Sequence, residues 1–180
     1  MDFAKIIFVF PIPFVFALLV TAIATPLALK IISRLGLIDD PKLHDHPGVI
    51  HTKPVPRGGG LPLFIGILIP SIFFLPINNI TIAIFIAAFL MLSVGLIDDK
   101  LNARGKDVSP YLRFVINILC AIIVVGSGVG IPFITNPFGG ILHLDQIFIS
   151  LPILPLQISL SSFFAILWII WVMNVLNWSK

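Results

Sequence analysis

The stretch "SVGLIDDK", Ser93 to Lys100, brings two adjacent carboxylates, Asp98 and Asp99, to the end of a long apolar run. Hard oxygen ligands at such a boundary suit Mg²⁺, which keeps several waters and bridges substrate phosphates. A pair of carboxylates can also divide the work, one on a metal and the other accepting a proton. Adjacent like charges repel unless a cation offsets them, and Lys100 is next in the chain. A polar helix end, with aspartate as a stop signal, accounts for the same residues equally well when the pair is taken alone.

A second polar stretch, "GLIDDPKLHDHPGVIHTKPVPRGGGLP", has its own chemistry. Asp39, Asp40 and Pro41 stop a helix. Pro54 and Pro56 stiffen the approach to Arg57 and to Gly58, Gly59 and Gly60. Glycines let backbone amides approach a ligand closely, and consecutive amides form an anion-binding nest. At a helix start those amides carry the positive dipole end, and an arginine fork beside them suits phosphate. A solvated loop with a glycine hinge is the plain alternative. His44, His46 and His51 also lie here, but their spacing matches no strong zinc pattern and no cysteine accompanies them.

The elements that must hold these loops follow from composition. The chain has 180 residues, 58% of them hydrophobic and 11% charged, with all eight acids aspartate. Its mean hydropathy is +1.13. A soluble domain is about a quarter charged, so a soluble surface is excluded and an all-α integral membrane protein is expected. Apolar segments at roughly 6–32, 60–77, 80–97, 111–133 and 158–178 give about five spans in a single polytopic domain covering 1–180. The run 6–29 is too long for the apolar core of a cleaved leader.

Fourteen of the 19 charged residues fall within 34–57 and 98–113. With five spans these two loops share a face, as do Lys30 and Lys180, so ten of the 11 basic residues collect there and only Lys5 lies opposite. Cytoplasmic loops carry the excess of Lys and Arg. The charged face is therefore expected in the cytoplasm and the N-terminus outside. Outside also falls the loop 134–157, where "NPFGG" turns and "ILHLDQIFI" partly alternates, which predicts a short strand or hairpin. His143 and Asp145 there read as solvated. Cys120 reads as a small core or lipid-facing side chain. In the last segment Asn174 and Asn177 are three apart and share a helix face; amides there commonly join helices. Trp168, Trp171 and Trp178 suit an interface belt.

Taken together, these pieces resemble the polyprenyl-phosphate N-acetylhexosamine-1-phosphate transferases, the bacterial enzymes that start O-antigen, teichoic acid and peptidoglycan lipid intermediates. The matching pieces are "GLIDDP", then the His-x4-Pro-Arg-x-Gly-Gly of His51, Pro56, Arg57, Gly59 and Gly60, then "GLIDDK", then Asn174 and Asn177. Four motifs in order on one membrane face are more specific than any one. The His–Pro–Arg–Gly–Gly form is similar to the branch using UDP-N-acetylglucosamine-like donors.

The resemblance implies transfer of a sugar 1-phosphate from a UDP-N-acetylhexosamine to polyprenyl (undecaprenyl) phosphate in the plasma membrane, releasing UMP, with Mg²⁺ or Mn²⁺ as cofactor. It carries the family's catalytic pair onto Asp98, as base, and Asp99, which also serves the metal. It carries substrate binding onto Asp39, His51, Arg57, Gly59, Gly60, Asn174 and Asn177, with Asn177 also in the metal region. The partners implied are the lipid bilayer and the two substrates, with a homodimer permitted and no nucleic acid. The family's asparagines lead into an Asp-Gly motif, which the sequence stops just short of at Lys180. The chain thus resembles an N-terminal part, expected to lack transfer alone. The competing classes are a small transporter or channel subunit and a non-catalytic membrane assembly protein. Ionisable residues at midspan would mark a conduit, and the apolar segments carry almost none.

Overall fold

The computed structural model describes residues 9–39, 53–150 and 157–178. Five helices carry the described chain: α1 (Pro11–Arg34), α2 (Gly60–Phe74), α3 (Asn79–Asn102), α4 (Pro110–Gly126) and α5 (Leu160–Trp178). Six short strands form three antiparallel pairs: β1 (Ile38–Asp39) with β2 (Val55–Pro56), β3 (Phe133–Thr135) with β4 (Ile141–His143), and β5 (Phe148–Ser150) with β6 (Gln157–Ser159). The helices pack in chain order, most extensively α1 on α2 and α3 on α4, with α5 on α4.

Among the described residues, α1 and α3 are long and apolar enough to cross a bilayer. The other three expected spans form shorter apolar helices. At ~1.5 Å rise per residue, the 15 residues of α2 and the 17 of α4 reach less than the ~30 Å hydrocarbon core. Each early stop has a local cause. Leu75 turns extended because it precedes Pro76, which disfavours helical backbone in the residue before it. α4 ends at Gly126, where Ser127, Gly128, Gly130 and Pro132 follow in the expected span 111–133. α3 departs the other way. It continues through Asn102, so Asp98 and Asp99 lie within its last turns and do not terminate it.

Two helix ends aim the polar loops. After α1, the Leu37 N–H donates to Ile32 O at 3.1 Å and the Gly36 N–H to Ser33 O at 3.2 Å. Gly36 has a φ of 70°, a left-handed position that glycine adopts at no steric cost, and Leu37 then packs with Ile32 and Ala28 in the core. After α3 the device repeats: Gly105, with a φ of 68°, donates to Asn102 O, and Lys106 donates to Leu101 O. These turns send Asp39 and Val108 back toward the bundle.

Packing between α1 and α2 is close enough that a side chain at Gly66 has no room. A Cβ there would lie 1.8 Å from Thr21 Oγ1. Cys120 is buried, its Sγ 3.6 Å from Ala87 O, so it belongs to the α3–α4 core. Large apolar side chains face outward, Phe73 at 72% and Ile67 at 65% exposure, as lipid-facing residues do.

The chain order sets two ends. The C-termini of α1, α3 and α5 and the N-termini of α2 and α4 share one end, with the β1–β2 pair and most of the described basic residues. The β3–β4 and β5–β6 hairpins cover the other. Leu144, between the hairpins, is buried, and its backbone joins Pro132 O and Ser161 N. The strand or hairpin expected in 134–157 is two hairpins. His143 and Asp145 are half exposed there and 3.7 Å apart.

Candidate active site

The charged end holds three groupings. The first is built by β1 and β2. The register Ile38↔Pro56 and Asp39↔Val55 sets Asp39 beside Arg57, whose own N–H donates to Leu37 O at 2.9 Å. Arg57 Nε and Nη2 both donate to Asp39 Oδ2, at 2.9 and 2.5 Å. Asp39 is 3% exposed, whereas the Arg57 side chain remains 33% exposed. Two residues that the sequence assigns to substrate thus bind each other, and Arg57 is the one that still faces outward.

Downstream, Gly58 packs against Ile32 and Leu96. Gly59 is the N-cap of α2 and makes no side-chain cap, and Gly60 opens the helix. The expected helix start is therefore present at the residues named for it, although the Leu61 N–H already donates to Gly58 O and Pro62 carries no N–H. His51 lies outside the described residues.

The second grouping surrounds Asp98. Asp98 Oδ1 pairs with Arg113 Nη2 on the first turns of α4 and accepts the Val108 N–H at 3.2 Å. Both side chains are largely covered, 13% exposed for Asp98 and 26% for Arg113. One helical turn further along α4 is Asn117, 6% exposed. Its Nδ2 approaches Asn174 Oδ1 on α5 at 3.5 Å, a long contact, and Asn174 Nδ2 donates to Ile170 O at 2.7 Å. Asp98, Arg113 and Asn117 line a cavity of ≈ 140 Å³ with Met91, Val94, Gly95 and Met173. Asn174 is in the helix that closes this side. The side chain of Asn177 lies outside the described residues.

The third grouping is the face of α3 that carries Asp99. Asp99 lines a groove of ≈ 380 Å³ between α2 and α3, together with Gly60, Phe64, Met91 and Leu96. The helix turn separates the neighbours: Asp98 faces α4 and Asp99 faces α2.

Among the described residues no three His, Cys, Asp or Glu side chains gather around one point. That excludes an all-protein cage in the described part. Single carboxylates at the charged end still fit a hard cation such as Mg²⁺, whose shell is commonly completed by waters and substrate phosphates around one or two carboxylates.

Sequence reasoning missed Arg113 and Asn117. Their signal was legible: the two are four apart, on one face of α4, and are polar residues in an otherwise apolar helix.

A family model, glycosyl transferase family 4, matches residues 81–179. That range includes Asp98, Asp99, Arg113, Asn117 and both asparagines of α5, and omits the Asp39–Arg57 loop. The chain is 31% identical over 129 residues to a "Probable undecaprenyl-phosphate N-acetylglucosaminyl 1-phosphate transferase" of Bacillus subtilis (strain 168), covering 71% of this chain and 33% of that protein. It is 30% identical over 141 residues to a decaprenyl-phosphate N-acetylglucosaminephosphotransferase of Mycobacterium tuberculosis, covering 72% of this chain and 33% of that protein. A third relative, an undecaprenyl-phosphate alpha-N-acetylglucosaminyl 1-phosphate transferase of Pasteurella multocida, is 29% identical over 98 residues, covering 54% of this chain and 25% of its own length. The chain thus spans about a third of the first two relatives. No solved structure matches it significantly.

Proposed function

The chain belongs to glycosyl transferase family 4, and from that premise we propose that its protein moves N-acetylhexosamine 1-phosphate from a UDP-sugar to a polyprenyl phosphate, releasing UMP. The observation that carries the proposal is the similarity to relatives whose names specify this transfer, with Asp98 and Asp99 inside the matched segment. The product would begin a cell-envelope polysaccharide. We further propose that all five helices cross the plasma membrane, with the N-terminus outside and the charged end in the cytoplasm. The 15- and 17-residue helices would do so by local bilayer thinning and by their flanking residues.

The chemistry asked of the site is phosphoryl transfer, in which positioning and charge neutralisation supply most of the catalysis. The nucleophile is an oxygen of the lipid phosphate. A phosphate monoester has a second pKa of about 6, so most of it is already dianionic at neutral pH. Little is therefore asked of Asp98 as a base. More is asked of the groups that hold two anionic substrates together. Arg57, held by Asp39 and exposed over a third of its side chain, is suited to a phosphate oxygen through its fork. The α2 start at Gly59 and Gly60 adds backbone N–H groups to the same end. Asp99 faces an apolar groove that ends at the charged face, which suits a ligand with an apolar tail and an anionic head. A bound Mg²⁺ would neutralise charge on the phosphates, and Asp99, with Asn177, would hold it.

The test is a transfer assay on membranes carrying the product of the complete open reading frame. With UDP-N-acetylglucosamine and undecaprenyl phosphate, UMP release should match the lipid-linked sugar phosphate formed and should require both substrates. Release of UDP in place of UMP would mean that the sugar moves without its phosphate, and the proposal would be wrong.

A further inference from the structure

We propose that Arg113 and Asn117 on α4 are positioning residues that tie the aspartate motif of α3 to the asparagine motif of α5. The proposal rests on the phosphotransferase reading above and assigns a role to two residues that reading does not use. Asp98 and Asn174 are 76 positions apart in sequence, and α4 contacts both. Arg113 grips Asp98 Oδ1. Asn117, one turn on, meets Asn174, and Asn174 is fixed in turn on Ile170 O. The result is a polar line across three helices, at the end of the bundle where the catalytic pair lies.

Two atoms of that line are unsatisfied. Arg113 Nε and Asn117 Oδ1 are buried and have no hydrogen-bond partner among the described residues. One is a donor and the other an acceptor, and their residues line the same ≈ 140 Å³ cavity. An orphaned buried polar group costs roughly 1–3 kcal/mol. The cavity walls are mainly apolar, but its volume has room for a water, and Arg113 and Asn117 supply the donor and the acceptor such a water needs. A water accepting from Arg113 Nε and donating to Asn117 Oδ1 would close the gap in the line. Burying these groups in an apolar bundle adds little stability over a hydrocarbon core, so their contribution is to geometry: they fix the Asp98 carboxylate and hold the α5 asparagines in register with it.

Arg113 is paired to its target by charge, and Lys keeps the charge but loses the fork. Asn117→Leu removes the orphaned oxygen and breaks the link to Asn174. The test uses the full protein in membranes, with UDP-N-acetylglucosamine and undecaprenyl phosphate, and reads kcat, donor KM and thermal unfolding. Arg113→Met should lower kcat on the order of 10- to 100-fold, the range seen when a partner that orients a functional group is lost, with donor KM within about twofold. Arg113→Lys should recover part of the loss. Asn117→Leu should lower kcat while the unfolding temperature stays level or rises, an outcome that a merely structural role does not give. Asp98→Asn combined with Arg113→Met should be no slower than the slower single variant. Additive losses for that pair, or an unchanged kcat in Asn117→Leu, would overturn the positioning role alone. Absence of UMP release by the unmodified protein would overturn the phosphotransferase reading, and the positioning role with it.

Discussion

Replacing Asp39 by Asn separates a residue that touches substrate from one that holds Arg57. The substitution keeps size and one acceptor oxygen and removes the charge. Two Arg57 N–H groups converge on Asp39 Oδ2, at 2.9 and 2.5 Å. Hydrogen bonds to charged groups contribute about 1.5–3 kcal/mol and neutral ones about 0.5–1.5 kcal/mol, so the exchange costs about 1–2 kcal/mol. The lower part of that range applies if the exposed third of Arg57 gains water contacts as the pair loosens. For a chain of this size the cost corresponds to a fall in unfolding temperature of about 2–8 °C, readable by thermal unfolding in nanodiscs. Donor affinity is the second readout. Because Asp39 is 3% exposed and acts through Arg57, Arg57→Ala should weaken UDP-N-acetylglucosamine binding more than Asp39→Asn does. The double variant should then bind no worse than Arg57→Ala alone. An Asp39→Asn protein with unchanged unfolding but weaker donor binding than Arg57→Ala would refute this reasoning and make Asp39 a direct contact.

Three further outcomes are expected. With Cys120 replaced by Ala, an impermeant maleimide added outside the cell should label Phe138→Cys at once, and Lys53→Cys and Lys106→Cys only after permeabilisation; the reverse pattern would remove the cytoplasmic placement of the charged end. Gly66→Ala should destabilise the bundle by about 1–3 kcal/mol, the range for overpacking, since its Cβ would meet Thr21 Oγ1 at 1.8 Å and Thr21 Cβ at 3.0 Å. Thr21→Gly should restore most of that loss, and wild-type unfolding in Gly66→Ala alone would show that α1 and α2 are not packed so closely. Asp99→Asn should lower transfer on the order of 10²-fold or more, as loss of an electrostatic stabiliser does, and raise the Mg²⁺ concentration needed for half-maximal rate; a normal rate across Mg²⁺ would leave "GLIDDK" a polar helix end.

Much of this arrangement was legible in the sequence because it depends on patterns that membranes enforce. Apolar runs located all five helices, and the clustering of charge in two loops marked the end where the polar groups gather. The boundaries were less legible. Glycine and proline around 126–132 break α4 before the apolar run ends, and hydropathy counts such residues without registering what they do to the backbone. The opposite error occurred at Asp98, where charge suggested a helix stop. Helix propensity and the later glycine turn at Gly105 carry α3 three residues past the pair. Adjacency in sequence also concealed a division in space. Successive residues on a helix point about 100° apart, as 3.6 residues per turn requires, so neighbouring carboxylates at a helix surface meet different partners. Asp98 accordingly reaches α4, and Asp99 the groove beside α2. Motif comparison presents the aspartates as one adjacent pair, whereas the helix gives each its own surroundings. The same periodicity was available four residues apart on α4, where Arg113 and Asn117 repeat on one face of an apolar helix. A polar residue buried in such a helix needs a partner on a neighbouring one. For these two, the partners are the aspartate and asparagine motifs themselves.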